Sequence, residues 1–287
     1  MGLVTSVDEF REARRAWAAQ GVRVSLVPTM GYLHEGHLRL IDAAKERSDV
    51  VVVSVFVNPL QFGPEEDYDQ YPRDLERDRR LAVERGAAVI FAPDADVMYP
   101  AGSEIRVVPG TTAERWEGLA RPGHFVGVLT VVAKLFHMTN PHVACFGQKD
   151  YQQLALIRQM VRDLNWSIEV VGVPTVREPD GLAMSSRNVY LSAAERREAL
   201  SLSGALSEAH AAWRAGESSA STLEVIVRQR VEVCPSVALE YIAVVDPDRL
   251  EPVDRVDHRS VIAVAARVGP TRLIDNIILR DGLSGAT

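Results

Sequence analysis

The chain has 287 residues, of which 47% are hydrophobic and 25% charged, a composition typical of a globular protein with one large domain or two modest ones. Its net charge of −7 argues against nucleic acid as a partner, because nucleic acid requires a basic face. Its two cysteines are too few for a disulfide framework. We find no apolar leader and no apolar stretch of about 20 residues, and we therefore predict a cytoplasmic protein without membrane contact.

The first part of the chain alternates between helical and strand patterns. Apolar periodicity predicts helices at residues 5–20, 38–47, 74–85, 126–138 and 151–164, and strands at residues 22–28, 49–57, 87–92, 142–146 and 167–173. The run 49–57 is apolar almost throughout, which is typical of a central parallel strand covered on both faces. The alternation predicts an α/β fold with a Rossmann-like, doubly wound parallel sheet, in which ligands bind where the strand order reverses.

The sequence pattern changes after Asn188. Helical patterns follow at residues 192–214 and 217–233, and β-rich runs at residues 239–245, 260–266 and 271–279. Consecutive strands joined by short turns predict an antiparallel sheet. We therefore predict a Rossmann-like domain of residues 1–178 and a smaller C-terminal α+β domain of residues 179–287.

The most informative motif is His34-Glu35-Gly36-His37, between the first predicted strand and its helix. Free backbone N–H groups and the helix dipole favour an anion at such a turn, and Gly36 lets a ligand approach the backbone. Two imidazoles three residues apart can face one phosphate from the same side. Two surface histidines in a loop are the alternative, although chance produces this motif in roughly one such chain in a hundred. The motif predicts a nucleotide phosphate site.

Polar residues also follow the next strands. Asn58 and Gln61 each offer a donor and an acceptor, which suits a small polar substrate, although an Asn-Pro turn also accounts for the segment. Lys149 lies directly before a predicted helix, where it can bind a phosphate, and Gln153 lies one turn further. A helix N-cap at Asp150 is the alternative interpretation of this second segment.

The segment Met184-Ser185-Ser186-Arg187 follows a predicted turn at residues 178–181. Two hydroxyl groups and a guanidinium can hold a triphosphate and stabilise the charge that develops on it. A serine-rich linker between domains is the alternative.

Together these segments resemble the pantothenate synthetase family, the pantoate–β-alanine ligases. The resemblance extends over nearly the whole chain and is carried, in order, by Pro28 to His37, Phe56 to Phe62, Gly147 to Gln153, Met184 to Asn188 and Thr271 to Asn276. The His-x-Gly-His turn alone resembles the wider nucleotidyl-transferring superfamily that includes class I aminoacyl-tRNA synthetases. Residues 58–62 narrow the resemblance to this family.

The resemblance implies that ATP and pantoate form pantoyl adenylate and pyrophosphate, after which β-alanine attacks to give pantothenate and AMP. It implies four catalytic residues, His34, His37 as the proton donor, Lys149 and Arg187. It implies substrate contacts by Asn58, Gln61 and Gln153. It implies ATP contacts by Met30, Gly31, Tyr32, Leu33, His34, Glu35, Gly36, His37, Gly147, Gln148, Lys149, Asp150, Val176, Met184, Ser185, Ser186 and Arg187.

The resemblance also implies Mg²⁺ with the ATP, a homodimer formed through the first domain, and a C-terminal domain that closes over the nucleotide. Some relatives carry a run of acids where this chain has Asp74 to Asp78, so the metal ligands stay unknown and phosphate oxygens with water are expected to hold the ion. Two alternatives remain. One is a nucleotidyltransferase that moves AMP onto a phosphorylated acceptor, and the other is a nucleotide-binding regulatory module without catalysis.

Overall fold

The structure is a computed structural model that describes residues 2–64 and 66–283. Met1, Glu65 and residues 284–287, which the predicted domains include, lie outside the described residues. Within the described part, residues up to 110 with 121–147 and 156–173 form one compact unit. Residues 111–120, 148–155 and those from 174 onward form a second unit. The predicted domain boundary at residue 178 stays a prediction.

The helices and strands alternate along the chain as follows. The strands are β1 (Leu3–Val4), β2 (Val24–Thr29), β3 (Val50–Val55), β4 (Val89–Phe91), β5 (Val143–Gly147), β6 (Glu169–Val173), β7 (Val237–Val245), β8 (Val261–Val268) and β9 (Thr271–Ile278). The helices are α1 (Val7–Ala19), α2 (Glu35–Lys45), α3 (Leu75–Arg85), α4 (Ala95–Met98), α5 (Glu117–Ala120), α6 (His124–Thr139), α7 (Tyr151–Asp163), α8 (Ala193–Arg214) and α9 (Ala220–Glu232).

The first unit contains a six-stranded sheet in the order β1-β4-β3-β2-β5-β6, with every pair parallel. The chain adds strands on one side of β2 and then continues with β5 on its other side, so the strand order reverses between β2 and β5. Leu26 of β2 pairs with Val52 on one side and Ala144 on the other. The predicted doubly wound sheet is confirmed.

The core of the first unit forms around the central strands. Val51, Val52 and Val53 of β3 are at most 3% exposed, because both faces of the strand are covered, as the apolar run predicts. Leu33, in the turn before α2, is fully buried and packs in the same cluster as Ile41 of α2. The apolar residue inside the polar motif therefore anchors the turn to the core.

The second unit contains the antiparallel sheet β7-β8-β9, which confirms the predicted C-terminal architecture. Helices α8 and α9 contribute Leu202, Leu206 and Leu223 to its core, all at most 2% exposed. Helix α8 begins with a capping box, in which the side chains of Ser192 and Glu195 each accept the other residue's backbone N–H. Among the described residues, no helix is long and apolar enough to cross a membrane.

Candidate active site

The turn between β2 and α2 has two consecutive residues in left-handed backbone conformations. Gly31 has φ +88° and Tyr32 has φ +51°, and the second value is uncommon for a residue with a side chain. A Cβ atom at Gly31 would lie 2.9 Å from the Asp78 carboxylate and 3.0 Å from Val55, so only glycine fits there without displacement. The absence of a side chain at Gly31 therefore leaves room for the Asp78 carboxylate, which comes from another part of the chain.

Asp78 lies on the first turn of α3. Its carboxylate accepts the backbone N–H of Tyr32 and that of Leu33, each at 2.7 Å, and its side chain is 1% exposed. Burial raises the pKa of Asp78 above its ordinary value, while the two amide hydrogen bonds act in the opposite direction. Asp78 thus holds the strained turn that leads into the two histidines, a role that only the folded chain reveals.

His34 and His37 cap the N-terminus of α2 with their own rings. The Nδ1 atom of His34 accepts the N–H of Gly36 at 3.1 Å, and the Nδ1 atom of His37 accepts the N–H of His34 at 3.3 Å. Because a backbone N–H can only donate, each Nδ1 is an acceptor, and the ring proton of the neutral imidazole lies on Nε2. Both rings consequently carry an Nε2–H donor.

The two imidazoles lie beside each other, with ring centroids 4.1 Å apart and planes inclined by 38°. They follow β2, the strand at which the sheet order reverses, and they sit at the positive end of the α2 dipole. Two N–H donors at a helix N-terminus form a suitable environment for a phosphate group. The structure brings these two predicted residues together, as their spacing predicts.

Asn58 is 1% exposed and uses its whole side-chain amide inside the protein. It donates to the Gly127 carbonyl and to Oε1 of Gln61, each at 3.1 Å, and it accepts from the N–H of Leu60 and the hydroxyl of Tyr99. Burial raises the pKa of Tyr99 to about 12, so this phenol stays a donor at neutral pH. Asn58 therefore orients Gln61, and its predicted substrate contact stays a prediction.

Gln61 ends the short 3₁₀ helix Pro59–Gln61 and lies beside another predicted site residue. Its Nε2 is 3.0 Å from the sulfur of Met30, so the structure brings these two together. The sulfur is a weak acceptor. A substrate oxygen that replaced it would therefore gain a stronger hydrogen bond from the same amide.

The backbone carbonyl of Gln61 accepts hydrogen bonds from two side chains that precede or begin α6. The bonds come from Nδ1 of His124 at 2.8 Å and from Nη2 of Arg121 at 3.2 Å. Arg121 also pairs with the Glu66 carboxylate, at 2.5 and 2.7 Å. Burial alone would raise the pKa of Glu66, but the hydrogen bond and charge of Arg121 outweigh it, and the pKa is lowered. This network fixes the main chain that carries the Gln61 amide.

Gly127 of α6 packs directly against the same 3₁₀ helix. A Cβ atom at this position would lie 2.1 Å from the carbonyl oxygen of Leu60 and 2.6 Å from the backbone nitrogen of Gln61. No larger residue fits at position 127 without displacing that backbone. The sequence alone gives no sign of this close approach.

The remaining predicted site residues, apart from Gly147 at the end of β5, belong to the second unit. Gln148, Lys149 and Asp150 form the turn before α7, and Gln153 is half-buried on the first turn of that helix. Lys149 is also half-buried, and its backbone carbonyl accepts a hydrogen bond from the side chain of Asn276 at 2.7 Å.

A hairpin brings Val176 and Met184 together in this unit. The N–H of Met184 donates to the carbonyl of Val176 at 2.9 Å, and the turn between them includes Gly181 at φ +94°. Ser185 follows at once and caps a 3₁₀ helix, Ser186–Tyr190, by accepting the N–H of Arg187 at 3.3 Å. The hairpin thus gathers the predicted residues Val176 and Met184 to Arg187 from the two sides of one turn.

The described residues offer no ready-made metal cage. No group of three or more His, Cys, Asp or Glu side chains suited to hold an ion occurs within residues 2–64 and 66–283. Asp78, whose carboxylate contacts the predicted nucleotide turn, directs both carboxylate oxygens to backbone N–H groups. Asp78 is therefore occupied by the turn, and the protein ligands of the predicted Mg²⁺ stay unassigned.

The chain is similar to known proteins over nearly its whole length. A family model described as pantoate-beta-alanine ligase matches residues 2–278. The pantothenate synthetase of Pelotomaculum thermopropionicum is 51% identical over 279 residues, which are 97% of this chain and 99% of that protein. The pantothenate synthetase of Syntrophotalea carbinolica is 52% identical over 265 residues, which are 92% of each chain.

Solved structures show the same similarity. The crystal structure of the pantothenate synthetase from Thermus thermophilus matches with a TM-score of 0.92 and 48% identity, covering 97% of this chain and 99% of that one. The pantoate-beta-alanine ligase of Francisella tularensis, complexed with beta-gamma ATP and beta-alanine, matches with a TM-score of 0.79 and 34% identity, covering 99% and 100% of the two chains.

Proposed function

The chain belongs to the pantoate–β-alanine ligase family and catalyses the ATP-dependent condensation of pantoate with β-alanine, and we propose how its residues carry out the two steps. A pantoate carboxylate oxygen attacks the α-phosphorus of ATP, and pyrophosphate leaves. The amine of β-alanine then attacks the carbonyl carbon of pantoyl adenylate, and AMP leaves. Both steps need alignment and charge stabilisation rather than a protein nucleophile.

The observation that carries this proposal is the pair of hydrogen bonds that the backbone donates to the Nδ1 atoms of the two histidines. Because the backbone holds each Nδ1 as an acceptor, His34 and His37 present Nε2–H donors beside the α2 N-terminus. The donors bind the phosphate oxygens and stabilise the charge that develops as the α-phosphorus is attacked. We assign to His37 the donor role that the family resemblance implies, as an Nε2–H hydrogen bond to the phosphate, because a neutral imidazole that released this proton would become an imidazolate.

The other nucleotide contacts are assigned by motif. Lys149 and Arg187 supply positive charge to the phosphates, and Ser185 and Ser186 donate hydroxyl hydrogen bonds. The same proposal gives ATP contacts to residues 30–37 and 147–150, to Val176 and to Met184. Mg²⁺ accompanies ATP, held by phosphate oxygens and water, since the described side chains form no cage for it.

Substrate recognition is assigned to two amides. Gln61 binds pantoate and then β-alanine, because its amide offers a donor and an acceptor and its main chain is held by Arg121 and His124. Gln153 supplies a second amide for pantoate. Uncharged amides suit a hydroxy acid, whereas a phosphorylated acceptor would require basic residues. We further propose that the protein is cytoplasmic and forms a homodimer. Sedimentation at two protein concentrations tests the dimer.

The decisive experiment is ATP–pyrophosphate exchange with pantoate and without β-alanine. Exchange that depends on pantoate establishes the adenylate step. Exchange that requires β-alanine would exclude a free adenylate, and exchange supported by a phosphorylated alcohol would favour a different nucleotidyl transfer. The metal requirement is tested by measuring exchange after Mg²⁺ has been removed and again after the ion has been restored.

A further inference from the structure

The segment Thr271 to Asn276 contains a buried asparagine that faces a predicted nucleotide segment. The side chain of Asn276, on β9, donates one hydrogen bond to the carbonyl of Gln148 at 3.0 Å and another to that of Lys149 at 2.7 Å. Asn276 is 6% exposed, and the two carbonyl groups belong to consecutive residues. One amide therefore holds two neighbouring peptide groups.

These two peptide groups flank the Cα atom of Lys149. The Gln148 carbonyl lies in the plane that precedes Cα, and the Lys149 carbonyl lies in the plane that follows it. Because peptide groups are planar, a hydrogen bond to each carbonyl restrains both planes and thereby restrains φ and ψ of Lys149. The direction of its Cα–Cβ bond is then restrained as well. The asparagine thereby limits the space that the lysine ammonium reaches on its flexible stem.

The asparagine is itself held in place by a buried ion pair. The carboxylate of Asp275 binds Arg177 through two hydrogen bonds of 2.7 and 2.9 Å, and both side chains are 3% exposed. Oδ1 of Asp275 also accepts the backbone N–H of Asn276 at 2.8 Å. The backbone from which the amide projects is therefore fixed before any ligand binds.

We propose that Asn276 is a positioning residue for adenylate formation, which acts through Lys149. The proposal rests on the phosphate-binding role of Lys149 given above. Asn276 need not touch the substrates, because its two amide N–H groups are already used by the backbone of the turn before α7. Its effect on the reaction is therefore transmitted by this turn, and the proposal assigns that effect to the Lys149 side chain.

A double-mutant cycle in the exchange assay tests this dependence. Asn276→Ala is expected to lower pantoate-dependent exchange on the order of tenfold and to raise the KM for ATP, as for a misplaced binding group. In a Lys149→Ala chain the same change is expected to alter exchange less than about twofold, because the group that it positions is gone. Ile274→Val, in the same strand, is the control for β9 packing.

The outcomes separate the inference from the function on which it rests. Equal losses in the two backgrounds would mean that Asn276 acts without the Lys149 side chain, through stability or through the rest of the turn, and would overturn the inference. Lys149→Ala with near-normal exchange would instead overturn the role of Lys149, and the inference with it. The unfolding midpoint of each variant is measured alongside. If Asn276→Ala does not fold, Asn276→Ser, which keeps one donor, replaces it in the cycle with the same criteria.

Discussion

The carboxylate of Asp78 accepts the backbone N–H of Leu33 at 2.7 Å, across 45 positions of the chain. This bond, together with its counterpart at Tyr32, joins the first turn of α3 to the turn that precedes the two histidines. An acid that could be taken for a metal ligand from its sequence neighbourhood therefore has a different task. It holds a strained backbone that presents imidazole donors.

Asp78→Ala is expected to lower pantoate-dependent exchange on the order of tenfold or more, because the turn loses its support. The buried amide of Leu33 would lose its acceptor, which costs about 1–3 kcal/mol of folding free energy, and the partly buried amide of Tyr32 would lose its acceptor at a smaller cost. The Mg²⁺ concentration for half-maximal activity is expected to stay unchanged, and a clear rise would restore Asp78 as a candidate metal ligand. Asp74→Ala, which removes only the N-cap of the same helix, is the matched control.

His37→Ala is expected to reduce adenylate formation on the order of 10²-fold or more, as for the loss of a donor to developing charge. His37→Gln is the informative companion, because its amide places an N–H near the former Nε2 position. Single-turnover formation of the adenylate measures both. Equal rates for the glutamine variant and the unaltered chain would show that hydrogen bonding suffices and that His37 does not deliver a proton.

Gln61→Ala is expected to raise the KM for pantoate and for β-alanine and to leave the KM for ATP within about twofold, since we propose that its amide binds the small substrates. Steady-state kinetics with each substrate varied in turn provide the measurement. His124→Asn tests the hydrogen bonds that hold the Gln61 main chain. The shorter asparagine side chain keeps an amide that can donate to the Gln61 carbonyl. A larger effect on ATP than on pantoate would place Gln61 at the nucleotide.

Breaking the buried pair Arg177–Asp275 by Asp275→Ala is expected to cost about 3–5 kcal/mol of unfolding free energy, because Arg177 is left charged and buried. Urea denaturation measures the change. The matched control is the exposed pair Arg228–Glu224, at 45% and 42% exposure, for which Glu224→Ala is expected to cost at most about 0.5 kcal/mol. Similar costs at the two pairs would contradict the role given to burial.

Thiol labelling is expected to distinguish the two cysteines. Cys145 of β5 is fully buried, and burial raises the pKa of its thiol to about 12, so little thiolate forms at neutral pH. Cys234 is partly exposed. The native protein should take up one equivalent of a thiolate-selective reagent at pH 8 and two after denaturation. Labelling of Cys145 in the native state would show that β5 opens locally.

Local patterns in the sequence predict most of the fold, because periodicity depends on residues within one helix or strand. Helix α6 begins two residues before its predicted start, at His124, where Gly123 in a left-handed conformation lets the chain turn into the helix. Strand β1 is only two residues long and carries no periodicity to detect. The parallel and antiparallel sheets both follow from the spacing of the apolar runs.

The candidate site likewise has one part that local sequence patterns predict and another part that they do not. The motif predicts that His34 and His37 lie together because a helical turn brings them there. The supports of the site come from distant parts of the chain: Asp78 for the turn, His124 for the Gln61 carbonyl, and Asn276, 127 positions beyond Lys149, for the turn before α7. No local pattern encodes such contacts, so only the folded chain identifies them.

The contact between Gly127 and the 3₁₀ helix has a consequence for how tightly the small substrates bind. Helix α6 lies so close to Leu60 and Gln61 that the segment is packed against the helix rather than left as a loose loop. Its conformational entropy is lost when the chain folds and is not lost again when pantoate arrives. In the proposed function, this preorganisation strengthens the binding of pantoate by the Gln61 amide. A loosened α6 would weaken binding even if every contacting atom were kept.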